Sequence, residues 1–139
     1  MITFFDTNIF VYAIDAGEPV KKSRAIARIT EAREAGTVVL STQVLQEFYS
    51  ITTRKLRPAL TAHVANQFVN ELCAFQVMGA DVASIRAACA LVTKHKMQWW
   101  DALILEAAMR AKANVLVSED GQAGRRFGSM VVENPFLKH

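Results

Sequence analysis

The chain has 139 residues, 52% of them hydrophobic, with 16 Lys and Arg against 13 Asp and Glu and a formal net charge of +3. That length and apolar content predict one domain spanning 1–139 whose core needs no disulfide framework, and Cys73 and Cys89, which lack any Cys/His ligand spacing, read as reduced core thiols of a cytoplasmic protein. No run reaches the length of a membrane span, and Asp6 falls where a secretory peptide would carry its basic and apolar regions, so neither membrane nor export is expected.

Short β-type runs alternate with longer helical ones, the sequence form of a parallel α/β sheet. Strands are expected near 2–5, 37–41, 75–78, 114–118 and 129–133, each apolar enough to be covered on both faces. A short helix follows Asp6. A long one runs from about 20 to 35 and ends at Gly36, a C-cap. Thr42 caps a third helix with the stripe Val44, Leu45, Phe48 and Ile51, and Pro58 closes it. Thr61 caps a helix bearing Val64, Phe68 and Leu72. Asp81 caps one bearing Ile85, Ala88, Cys89 and Val92. The last helix, from about 99 to 112, places Trp100, Ile104, Ala107 and Ala108 on its buried stripe.

Basic residues gather at Lys21, Lys22, Arg24 and Arg28, at Arg54, Lys55 and Arg57, at Lys94-His95-Lys96, and at Arg125-Arg126. Solvated helix faces explain any one of these clusters. The overall charge, with a pI near 9.1, permits a polyanionic partner without requiring one.

Four carboxylates stand at strand-to-helix junctions: Asp6 after the first strand, Asp120 after the fourth, and Glu47 and Asp101 in the opening turns of helices. In open α/β sheets ligands collect outside the carboxyl ends of the strands, so the four share one edge and form a candidate divalent-metal site. Each has a structural explanation as well. Asp6-Thr7-Asn8 suits a helix N-cap, Asp101 complements a helix dipole, and Ser118-Glu119-Asp120-Gly121 is ordinary turn chemistry. Glu47 lies about 60° from Val44 and about 40° from Ile51 on the helical wheel, so its carboxylate borders the buried face and needs solvent, a cation or a metal. Four acids in register are hard to attribute to four independent capping events. Thr7 and Asn8 are placed to orient the first acid, and Ser118 to hold a metal-bound water.

These segments resemble the PIN-domain nucleases, and among them the VapC-type toxins of type II toxin–antitoxin pairs. Met1-Ile2-Thr3-Phe4-Phe5-Asp6-Thr7-Asn8-Ile9-Phe10-Val11-Tyr12 looks like the family's opening strand and acid, Gln46-Glu47-Phe48 like its helical glutamate, Trp100-Asp101-Ala102-Leu103-Ile104 like its third acid, and Val117-Ser118-Glu119-Asp120 like its last. Asn134-Pro135-Phe136 looks like its C-terminal ending. Ser118 stands where Thr is common, and of the neighbours Glu119 and Asp120 the family pattern favours Asp120. The resemblance implies a three-layer α/β domain with a five-stranded parallel sheet in the order 3-2-1-4-5, Mg²⁺ or Mn²⁺ dependence, endoribonuclease activity, and inhibition by a small VapB-like antitoxin.

Hard oxygen donors without His or Cys also favour Mg²⁺ or Mn²⁺ over Zn²⁺. On this reading Asp6, Glu47, Asp101 and Asp120 are both catalytic and metal-binding, and a metal-activated water attacks an RNA phosphodiester. Arg54, Lys55 and Arg57 are candidates for RNA contact. His63 and His95 read as surface helix residues and His139 as terminal, which disfavours acid–base catalysis without metal. Surplus apolar helix surface at Ile26, Ile29, Phe68 and Val69 points to a homodimer. The alternative is a non-catalytic RNA-binding or protein-interaction module on the same fold. Receiver, dehalogenase-type phosphatase and dinucleotide-binding domains are disfavoured, because Asp6 has no acidic neighbour, Asn8 stands where a second Asp is needed, and no G-x-G-x-x-G follows the first strand.

Overall fold

A computed structural model describes residues 1–137; Lys138 and His139, the terminal histidine considered above, lie outside the described residues. The chain alternates β1 (Thr3–Phe5), α1 (Thr7–Tyr12), α2 (Pro19–Ala35), β2 (Val38–Ser41), α3 (Thr42–Arg54), α4 (Ala62–Leu72), β3 (Gln76–Met78), α5 (Val82–His95), α6 (Trp99–Arg110), β4 (Val115–Val117), β5 (Arg126–Phe127) and β6 (Met130–Glu133). The strands form one sheet in the order β3-β2-β1-β4-β6-β5, parallel except for the β5–β6 pair. The expected order 3-2-1-4-5 is therefore present, with β6 as its fifth strand. The sixth strand is an addition at the edge: Arg126–Phe127 turns through Gly128-Ser129 and pairs back onto Met130–Val131. Gly128 has φ +62 and Ser129 no positive φ, the requirement of a type II′ hairpin turn.

Every residue of β1 and β2 is buried, Phe4, Phe5 and Leu40 completely, and successive strand residues face opposite ways, so the sheet centre is covered on both faces. Phe10 packs on Phe5 at 5.6 Å between ring centroids, and Phe68 meets Phe48 edge-on at 6.2 Å. Gly36 ends α2 at φ +71, the left-handed C-cap its position called for. Thr61 and Asp81 cap α4 and α5 as expected, Asp81 in a reciprocal box with Ser84. Buried Glu106 of α6 pairs with Arg110, whose guanidinium also donates to the Gly79 carbonyl and so ties α6 to the segment after β3.

Several local expectations are corrected. Ser41, the last residue of β2, caps α3 in place of Thr42, because its extended backbone aims the hydroxyl at the Val44 N–H. Cys73 and Cys89 are exposed and are not core thiols: Cys73 is the C-cap residue that follows α4, and Cys89 lies on the exposed face of α5. Trp100 is 61% exposed, and the stripe of α6 runs instead through Ala102, Leu105 and Ala108 along with Ile104 and Ala107. His95 is half-buried, edge-on to Phe127 at 5.1 Å, because the unforeseen β5 strand supplies a ring beside it. Ile26 is exposed on α2, whereas Ile29, Phe68 and Val69 pack against the core. No helix among the described residues is long and apolar enough to cross a membrane.

Candidate active site

The chain builds β2 and β3 on one side of β1 and then crosses to β4 on the other, so the strand order reverses between β1 and β4. Outside the carboxyl ends of such a pair the connections diverge and leave a crevice. Asp6 follows β1 and Ser118 follows β4, which brings both to this crevice by topology alone. Asp101, in the first turn of α6, and Asp120 line the same pocket.

Asp6 is buried, at 8% exposure, and both carboxylate oxygens are engaged. Its Oδ1 accepts from the Thr7 N–H at 2.7 Å, capping α1, and its Oδ2 accepts from the Ser118 hydroxyl at 2.7 Å. The structural and functional readings of Asp6-Thr7-Asn8 therefore coexist on one side chain. Burial pushes the Asp6 carboxyl up to about 6, with the negative charges of Asp120 and Glu47 adding to the rise and the two hydrogen bonds opposing it. Burial, then the charge of Asp120, also raises Asp101 above the ordinary carboxylate range.

Glu47, in the second turn of α3, is half-buried and joins the group through Thr7, whose hydroxyl donates to Glu47 Oε1 at 2.8 Å. Gln43 donates to the same oxygen at 3.3 Å. On the far side Asn8 Nδ2 donates to Asp120 Oδ2 at 3.1 Å, and the Asp120 N–H donates to Ser118 Oγ at 3.1 Å. Thus Thr7, Asn8 and Ser118 each hold one acid: Glu47, Asp120 and Asp6 respectively. Glu119 turns the other way, to an ion pair with Lys21 and a hydrogen bond from the Tyr12 hydroxyl.

No three His, Cys, Asp or Glu side chains among the described residues are placed, as they stand, to hold one ion. The donor set nevertheless suits a hard divalent cation: it is all oxygen, and the charges of Asp120 and Glu47 add to the burial that raises the Asp6 carboxyl. One basic side chain, Arg125, lines the pocket from the turn before β5. Sequence reading saw Arg125-Arg126 as a basic cluster without placing it here; the signal was the Gly128-Ser129 turn, which folds this segment back. Arg54 and Lys55 are exposed at the end of α3, about 10 Å along the helix from Glu47. Arg57 spends its guanidinium on the Arg54 and Leu56 carbonyls.

Residues 3–126 match the PIN domain, and the chain belongs to the PIN-domain family. No curated protein sequence matches it. Among solved structures it is similar to a toxin–antitoxin complex from Klebsiella pneumoniae, with 19% identity and a TM-score of 0.66 over 96% of this chain and 97% of that one. VapBC2 from Rickettsia felis, bound to a DNA fragment from its promoter, is similar at 18% identity and TM-score 0.68 over 96% and 98% of the two chains. VapC20 of Mycobacterium tuberculosis, a sarcin-ricin loop cleaving toxin, is similar at 17% identity and TM-score 0.60 over 82% and 86%. At such identities the likeness is one of fold.

Proposed function

We propose that this PIN-domain protein is a Mg²⁺- or Mn²⁺-dependent endoribonuclease and the toxin of a VapBC-type toxin–antitoxin pair. The observation that carries the reading is that Asp6, Asp101 and Asp120, from three segments far apart in sequence, line one pocket at the sheet's switch point, with Glu47 joined to Asp6 through Thr7. Asp6, Glu47, Asp101 and Asp120 are the residues that hold the cation. When bound, it supplies an activated water and offsets the charge developing on the phosphodiester. The chain's own contribution is orientation. Ser118 keeps Asp6 aimed at the pocket, Asn8 keeps Asp120 there, and Thr7 prevents Glu47 from swinging into solvent. Arg125 at the rim supplies positive charge for the polyanion. A small antitoxin protein, supported by the toxin–antitoxin complexes among proteins of similar fold, together with a homodimer and a cytoplasmic setting, completes the proposal.

A non-catalytic RNA-binding or protein-interaction module is the second reading, favoured because no three acids among the described residues are placed, as they stand, to share one ion. Both are tested by incubating purified, partner-free protein with total RNA in Mn²⁺, in Mg²⁺, in EDTA, and with the Asp6→Asn variant in parallel. The nuclease reading expects discrete fragments that need metal and Asp6. A folded protein that binds Mn²⁺ calorimetrically and cuts nothing supports the module instead.

A further inference from the structure

Three of the four acids are held by a neighbour: Asp6 by Ser118 and the Thr7 N–H, Glu47 by Thr7, and Asp120 by Asn8. Asp101 is not. It lines the pocket, yet its carboxylate accepts no hydrogen bond from any described residue. Its place therefore depends on where the first turn of α6 sits, since a side chain in that turn moves with its backbone. That turn begins without a side-chain cap, because Gln98 makes no capping hydrogen bond. What reaches it from the rest of the site is Gln43, a half-buried residue in the first turn of α3. Gln43 Nε2 donates to the Trp100 carbonyl at 3.3 Å and to Glu47 Oε1 at 3.3 Å. Trp100 immediately precedes Asp101.

We propose that Gln43 is a positioning residue for Asp101: it ties the first turn of α6 to Glu47 and so sets the span between the acid of α6 and the other three. The inference rests on the metal-dependent nuclease reading above and adds to it a residue that acts through the acids. Residues 43 and 47 stand four apart and share a helix face, and a helical side chain leans back toward the N-terminus, which brings Glu47 onto Gln43. A carboxylate and a carbonyl are both acceptors, so only the NH₂ side of the amide serves them, one hydrogen each. The Trp100 carbonyl has a second lone pair for this beside the one its own helix uses. Thr7 donates to the same Glu47 oxygen, and a chain of hydrogen bonds thus runs from α1 through α3 to α6. Contacts of 3.3 Å are long for an amide donor, so the restraint is light. Its loss falls at the lower end of the range of about tenfold to a hundredfold in metal affinity that groups orienting metal ligands carry.

The test uses the whole protein, stripped of metal with EDTA and dialysed, and titrates Mn²⁺ alone into it by calorimetry, without RNA. Gln43→Met keeps the length of the side chain and removes its donors. Gln43→Ala is the second variant, read in its place if Gln43→Met melts early. Gln46→Met makes the same change at an exposed position of the same helix and is the control. Thermal melting establishes which proteins are folded. Mn²⁺ affinity is expected to fall about tenfold in Gln43→Met and to stay within about twofold of wild type in Gln46→Met. In an Asp101→Ala background the Gln43 change is expected to lower affinity less than about twofold further, because the acid it positions is gone; a role in packing, or on Glu47 alone, would persist there. The proposal is overturned by a loss below about fivefold in Gln43→Met, by an equal loss in Gln46→Met, or by a further loss of about twofold or more in the Asp101→Ala background. Failure of the nuclease reading looks different. A wild type that binds Mn²⁺ and leaves total RNA uncut removes that reading, while calorimetry still decides the role of Gln43. A wild type that binds no Mn²⁺ overturns both.

Discussion

The Ser118 hydroxyl donates to Asp6 Oδ2 at 2.7 Å, across the parallel pair β1–β4, and its oxygen also accepts from the Asp120 N–H at 3.1 Å. One side chain therefore sets both the charge of the buried acid and the start of the turn that carries its neighbour. Removing the hydroxyl takes away a contact that favours the ionised form, so the Asp6 carboxyl rises further above its present value of about 6. In Ser118→Ala the acidic limb of the pH profile of cleavage is expected to move up by roughly one pH unit, the worth of a hydrogen bond of about 1.5 kcal/mol to a charged group. Ser118→Thr keeps the hydroxyl and is expected to keep the wild-type limb. Superimposable profiles for all three proteins would show that Asp6 ionisation does not control the reaction.

Asp6 also links stability to pH. Its carboxyl is raised from 3.8 to about 6 on folding, so the folded state holds the proton more tightly. That contribution is fully present below pH 3.8 and is lost as pH rises through about 6. Above that range the buried, ionised carboxylate costs up to about 3 kcal/mol in the absence of metal. Asp6→Asn removes the titration, and its Oδ1 still accepts from the Thr7 N–H. In EDTA the variant is expected to be more stable than wild type by about 1–3 kcal/mol at pH 7.5, with the gain fading as pH falls through about 6 and gone below 3.8. Urea unfolding across this range checks it, and a variant less stable than wild type at every pH would count against the buried charge.

Glu119 and Asp120 are adjacent acids that the structure separates. Asp120 lines the pocket, while Glu119 is held by Lys21 and Tyr12, with the Lys21 ammonium 4.7 Å from the Tyr12 ring centroid and 5.5 Å from that of Phe136. The expected result is a sharp split. Asp120→Asn should lower cleavage by more than about a hundredfold, within the range for losing a group that acts on the transition state. Glu119→Gln should lower it less than about fivefold and cost under about 1 kcal/mol of stability, as for a partly exposed ion pair. Comparable losses in the two variants would assign Glu119 to the site.

The parallel sheet was legible because β1, β2 and β4 are buried on both faces and so read as unbroken apolar runs: Thr3-Phe4-Phe5, Val38-Val39-Leu40 and Val115-Leu116-Val117. Asp6 and Asp120 were legible as candidates for the same reason, since an acid ending such a run has few places to go. β5 was not, because two residues have no periodicity; only the Gly128-Ser129 pair marked the hairpin. That omission hid the placement of Arg125 and the partial burial of His95 together. Trp100 misled because the stripe it shares with Ile104, Ala107 and Ala108 is buried from its second turn on, while the first turn of α6 leaves the indole exposed and buries the small Ala102 instead. The Lys21–Glu119 pair spans 98 positions in sequence and leaves no local trace.

Gly121 carries the last prediction, because its role depends on space rather than on backbone freedom. A Cβ at this position would stand 2.8 Å from Val132 Cγ1, well inside van der Waals contact. Val132 is 3% exposed on β6, walled in by the core, so it has little room to yield. The turn must yield instead, and that turn begins at Asp120 while Val132 forms part of the pocket wall. Gly121→Ala is expected to cost about 1–3 kcal/mol, as overpacking generally does, and to reduce cleavage through displaced Asp120. Gly79→Ala is the control, since a Cβ there meets nothing within 4 Å and its backbone needs no positive φ. Urea unfolding and cleavage rates for the two variants should differ clearly; a Gly121→Ala protein as stable and as active as the Gly79→Ala control would show that the turn has slack.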